Sequence, residues 1–125
     1  MERYNLYVAW FSVLGGLATG AIQGLFFHQE QWLGGYSSWE RRLTRLGHIS
    51  FFGLAFINFL FVFSVWYFKI TNPIMLPSIL FMCGAITMPM CCYLAAFWKG
   101  FRHFFFIPVT CLLIGTIAFV FLNIL

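Results

Sequence analysis

LGHISFFGLAFINFLFVFSVWYFKITNPIMLPSILFMCGAITMPMCCYLAAFW, residues 46–98, holds a single charged side chain, Lys69. The run divides at Lys69-Ile70-Thr71-Asn72-Pro73, because Asn-Pro initiates turns and Pro73 disfavours helical backbone at Asn72. Each half exceeds the roughly 20 apolar residues a helix needs to cross a hydrocarbon core of about 30 Å. Helices satisfy their own backbone hydrogen bonds in lipid, which open sheets cannot do. Working outward, residues 4–29 and 103–125 are equally free of charge. The expected fold is therefore all-α: one transmembrane domain, an antiparallel up-down four-helix bundle with helices at about 4–27, 38–67, 75–98 and 103–125.

Composition agrees. The 125 residues are 62% hydrophobic and 8% charged, against roughly 45–50% and about 25% for a soluble domain. The first apolar stretch outlasts the roughly 7–15 residues of a secretory h-region and predicts a retained helix. All four cysteines (Cys83, Cys91, Cys92, Cys111) lie in apolar stretches, so no disulfide framework is expected. The net charge of +4 comes from Arg and Lys at helix ends, where they anchor against headgroups; the bilayer is the expected partner and nucleic acid is not. Arg41, Arg42, Arg45, Lys99 and Arg102 follow helices one and three, against Arg3 and Lys69 on the other side. That asymmetry predicts an integral membrane protein, in a bacterial inner membrane, with both termini outside the cytoplasm.

Packing expectations follow from small residues. Ser12, Gly16, Gly20 and Gly24 recur every fourth position, predicting a bare face on helix one that another helix backbone approaches, in this bundle or in a second molecule. Gly84, Ala85, Gly115 and Ala118 are expected to serve the other helices, with aromatic residues such as Phe61 facing lipid. Ser37-Ser38-Trp39-Glu40 reads as a capping box of Ser37 and Glu40. Arg41, Arg42 and Arg45 then fall in the headgroups, Pro89 kinks helix three, and Lys99-Gly100-Phe101-Arg102 turns tightly into helix four.

The topology collects His28, His48 and His103 at one membrane boundary, and the spacing of Arg41, Arg45 and His48 puts them on one helix face. Two histidines on different helices at one depth are a possible axial pair for haem b, His48 and His103 first, with Arg41 and Arg45 beside the propionates. The set Cys83, Met90 and Cys91 offers soft donors suited to Cu(I), although Met and free Cys also fill irregular apolar gaps. Asn58 is deep in a span, where strongly polar groups are expensive. No acidic residue lies within a span and no catalytic set or phosphate-cradling loop is present, so an independent enzyme is not expected. The function these features suggest is a non-catalytic accessory or assembly subunit of a larger membrane complex, respiratory or otherwise electron-transferring. Haem binding and copper handling are the alternatives, and the partners would be other membrane subunits or further copies of the chain.

Overall fold

The computed structural model describes residues 1–125 and contains only helices and turns. Four α-helices run Glu2–Phe26 (α1), Trp39–Tyr67 (α2), Met75–Phe97 (α3) and Phe106–Phe119 (α4). Short 3₁₀ helices at Trp32–Gly34 and Lys99–Phe105 and a wide π turn at Val120–Ile124 complete the chain. Counting the flanking turns of α4, all four spans are long and apolar enough to cross a membrane.

The bundle is open. α2 packs against both α1 and α3, α4 packs on α3, α1 touches α3 lightly, and α1 and α4 do not close against each other. Phe61 of α2, Phe81 of α3 and Phe119 of α4 meet edge to face, with ring centroids 5.4 and 5.0 Å from Phe61. At the opposite end Leu43, Ala95 and Ala96 form a second core under Trp39, whose Nε1 donates to the Ala95 carbonyl at 2.6 Å. As the sequence suggested, small residues set the α3–α4 contact. Gly84 leaves room for Leu112, and Gly115 receives Leu80 and Phe81.

Polar pairing fixes the rotation of the first three helices. Asn5 Nδ2 donates to Asn58 Oδ1 at 2.8 Å and to the Ser78 carbonyl at 3.1 Å, while Ser78 Oγ donates to Asn5 Oδ1. Asn58 Nδ2 donates to the carbonyls of Leu54 and Phe81. All three side chains are fully buried and both carboxamides are satisfied. From this node the inward face of α1 runs Asn5, Ala9, Ser12, Gly16, Thr19, Gln23, alternating steps of four and three. That is a period of about 3.5, the repeat of left-handed helix packing.

This period corrects several expectations. A strict four-residue stripe drifts round the helix, so Ser12 and Gly16 are buried but Gly24 is exposed, with nothing near it. The glycines do not admit a helix backbone; they admit rings. A Cβ at Gly16 would fall 2.7 Å from the Phe52 ring, and one at Gly20 2.5 Å from His48 Cε1. Phe61, expected at the lipid face, is 2% exposed, whereas Phe56 is 62% exposed. The cap of α2 is Ser38, whose Oγ accepts from Arg41 N at 3.2 Å, not Ser37. The helix begins one residue later than the Ser37–Glu40 pairing requires, which leaves Glu40 one position short. Helix four does not start at His103. Trp98 is extended and Lys99–Phe105 is 3₁₀, because Pro108 has no N–H to extend an α ladder back to Phe104.

Two measurements check this arrangement. Gly20→Leu should insert normally yet raise the rate at which the buried Cys92 thiol is labelled severalfold, whereas Gly24→Leu should leave that rate unchanged; equal effects would place the face elsewhere. Asn58→Leu strips Asn5 of one of its two acceptors and should lower unfolding stability in mixed micelles by about 1–2 kcal/mol, near the upper end of membrane hydrogen bonds. The exposed Phe56→Leu should change it little.

Candidate functional site

The polar groups that the asparagine node does not use gather where α1 ends, α2 begins and α3 ends. Gln23 Nε2 donates to the Thr44 carbonyl at 3.1 Å and to the Tyr93 hydroxyl at 3.2 Å. One turn earlier, Thr19 Oγ1 donates to the Gly15 carbonyl and lies 3.3 Å from His48 Nδ1. The His48 ring is lodged over Gly20 and meets Phe52 edge to face. Gly47 brings the Tyr93 ring close to α2, since a Cβ there would fall 2.8 Å from Tyr93 Cε2. Gln23 is 5% exposed, and its Oε1 has no hydrogen-bond partner in the protein.

Two spaces border this group and share Tyr93 as a wall. A cavity of about 270 Å³ lies among Thr19, Gln23, Thr44, Tyr93 and Phe97, roofed by Trp32 and Leu33 of the first loop. A crevice of about 630 Å³ follows the α1–α3 seam past Ser12, Phe51, Ala85 and Pro89. Phe11, Ile86 and Met90 on its rim are 71%, 55% and 54% exposed, so it opens sideways. Light contact between α1 and α3 is what leaves this seam unfilled.

The loop above is held by an arginine. Arg41, expected among headgroups, is 5% exposed. Its guanidinium donates to the carbonyls of Phe27, Gln29 and Glu30 at 3.2–3.4 Å and stacks 5.5 and 5.6 Å from the Phe27 and Trp32 ring centres. No carboxylate pairs with it. The orphan carbonyls at the end of α1 and the negative end of its dipole supply the compensation. Arg45 lies 4.1 Å over the Tyr36 ring and donates to the Tyr36 carbonyl at 2.9 Å.

The structure keeps the three histidines at one end of the molecule but not together. His48 faces α1, His103 is exposed on the 3₁₀ segment beside α3, and His28 is exposed at the end of α1. Axial ligation needs two rings opposed across one iron, and these histidines face different neighbours. Arg41 and Arg45 are occupied by loop carbonyls. Of the soft-donor set, Cys83 and Met90 are exposed, whereas Cys91 is buried with its Sγ 3.7 Å from the Phe104 carbonyl. No three His, Cys, Asp or Glu side chains converge on a point that could hold a metal ion.

Gln23, Thr19, Thr44 and Tyr93 did not emerge from sequence reading. The signal was available in α1, where polar and small residues recur at the 3.5-residue period. No family model, characterised protein or solved structure matches the chain.

Arg41→Met should loosen the loop without unfolding the spans. Amide exchange across residues 28–36 is expected to rise about tenfold or more, since each lost bond to a charged donor weighs roughly 1.5–3 kcal/mol. Protection around Asn5 and Asn58 should stay constant. Unaltered exchange in the loop would show that Arg41 does not hold it.

Proposed function

We propose that this chain is a non-catalytic accessory subunit that packs laterally against another transmembrane protein, with both termini outside the cytoplasm of a bacterial inner membrane. One observation carries the reading: the outward face of α1 offers a packing surface that the bundle itself does not use. Ala18, Ala21 and Gly24 are exposed there, flanked by Leu14, Leu17 and Leu25 at 60–71% exposure. Small residues between bulky ones let a helix approach closely, and such packing drives association in lipid, where no hydrophobic gain is available between helices.

The open bundle supports the same reading, because α1 and α4 each keep a free edge. Orientation rests on the basic residues that follow α1 and α3. An electron-transferring complex is the setting proposed for the subunit, on the strength of His28 and His103, which stay exposed at that boundary.

Gentle extraction followed by native electrophoresis tests the proposal. The chain should migrate within a larger assembly that also contains other polypeptides, and Gly24→Leu should release it while leaving Cys92 labelling unchanged. Migration only as a monomer or small homo-oligomer, before and after the substitution, would overturn it. A redox-active chromophore in the intact assembly, seen in a reduced-minus-oxidised spectrum, is expected for the electron-transfer setting.

A further inference from the structure

α2 ends in a left-handed turn of the kind that glycine ordinarily occupies. Ile70 N donates to the Val65 carbonyl at 3.0 Å and Lys69 N to the Trp66 carbonyl at 3.3 Å, the paired bonds of a Schellman cap. The residue at its left-handed position is Lys69, with φ +50°. A Cβ there crowds its own backbone, and glycine would take the same turn without strain. Such strain, kept in place, points to a gain elsewhere. Packing does not supply it, because the apolar contact of the cap is made by Val65 and Ile70 against the Phe61 cluster, while Lys69 is exposed and no carboxylate pairs with it. What the lysine does line is a groove of about 650 Å³, walled by Val62, Val65 and Trp66, whose other charged side chain is Glu2 of α1. Glu2 Oε2 takes the terminal amine at 3.3 Å, and a carboxylate keeps lone pairs for further donors. The groove lies at the membrane boundary that holds both termini, where Trp66 and Tyr67 are 75% and 63% exposed, as aromatic residues at headgroup depth are. One cation, one anion and an apolar wall at that depth complement a zwitterionic headgroup.

We propose that this groove binds the headgroup of phosphatidylethanolamine from the surrounding bilayer, Lys69 donating to the phosphate and Glu2 accepting from the primary ammonium, with the acyl chains left in the lipid. Glu2 is what selects the head. A trimethylated ammonium has no hydrogen to donate to it, and an anionic head would face its carboxylate without a cation of its own. The inference rests on the four spans crossing a membrane and does not depend on a protein partner at the outer face of α1.

Delipidated protein in dodecyl maltoside is titrated with dioleoyl-phosphatidylethanolamine or with dioleoyl-phosphatidylcholine, its N-trimethylated counterpart, and bound lipid is counted by native mass spectrometry. The ethanolamine lipid should bind at about tenfold lower concentration. Glu2→Ala should erase that difference. Lys69→Gly should weaken both lipids severalfold and keep the difference, while raising the thermal midpoint because the left-handed turn is relieved. Lys69→Gln, which keeps the side chain in that turn, should weaken binding equally without raising the midpoint, and it decides the matter should Lys69→Gly misfold. Cys92 labelling at the wild-type rate confirms that each variant is folded. Equal binding of the two lipids by the wild type would overturn the proposal, as would a difference that survives Glu2→Ala. Binding unaltered in both Lys69 variants would assign the cation to the dipole of α2 and overturn it too. No saturable binding of either lipid, with Lys69→Gln releasing the chain from a larger assembly, would give the groove to a protein partner instead.

Discussion

A carboxamide inside a bilayer has several hydrogen-bonding groups and no water to satisfy them, so its position among neighbouring helices is dictated by where partners can be found. Asn5 and Asn58 solve this jointly with Ser78, and in doing so tie the first turns of α1 and α3 to the later half of α2. Apolar contacts among lipid-soluble helices discriminate weakly between rotations, because lipid tails are nearly as good a neighbour as leucine. The polar node discriminates strongly. Turning α1 by one residue would strand two buried asparagines, and the other features of that helix follow from avoiding this. His48 comes to rest over Gly20, Gln23 meets Thr44, and Gly24 is turned outward.

The basic end of the molecule shows how a buried cation is accommodated without an anion. The only acidic side chain in an ion pair is Glu2, with the terminal amine. Arg41 draws on three carbonyls past the end of α1, of which that of Gln29 also accepts from Trp32 N, and on two aromatic faces. Backbone that would otherwise be orphaned at a helix end is consumed by a charge that would otherwise be unpaired. The loop of residues 27–36 is thereby drawn over the cavity beside Gln23, with Trp32 stacked on Phe26 at 5.4 Å.

Which parts of this were legible in the sequence follows from how lipid changes the code. The spans were legible, because gaps between charges measure membrane thickness directly; the observed α2 and α3 end within one residue of expectation. Helix four was misjudged at its start because Pro108 was not weighed against the short turn before it. Rotation was the harder quantity. In a soluble helix the apolar period reveals the inner face, but here Phe56 and Phe61 are the same residue type, one in lipid and one in the core. Only polar and small residues carry azimuth. Reading Ser12, Gly16, Gly20 and Gly24 at a period of four instead of Asn5, Ala9, Ser12, Gly16, Thr19 and Gln23 at 3.5 therefore misplaced the last turns of α1. Depth, likewise, was legible for the histidines, while their directions were not, so a set that shares a boundary was read as one that shares a centre.

The two polar nodes lie at opposite ends of the same three helices and differ in completeness. Near the chain termini every donor and acceptor of Asn5 and Asn58 is matched, and that end is closed by the Phe61–Phe81–Phe119 contact. Near the basic boundary Gln23 lacks one partner beside the cavity under Trp32, and the α1–α3 crevice lies between the two nodes, past Ser12 and Pro89. These features belong together. Both nodes join α1 to α3 through side chains, Asn5 to Ser78 at one end and Gln23 to Tyr93 at the other, while the backbones between them make only light contact. The Tyr93 side chain, its ring held against Gly47, takes a hydrogen bond from Gln23 Nε2 at that end and leaves Oε1 without a partner. The complete node fixes how the three helices are rotated, and the incomplete one leaves a single buried acceptor, Gln23 Oε1, beside the cavity under Trp32.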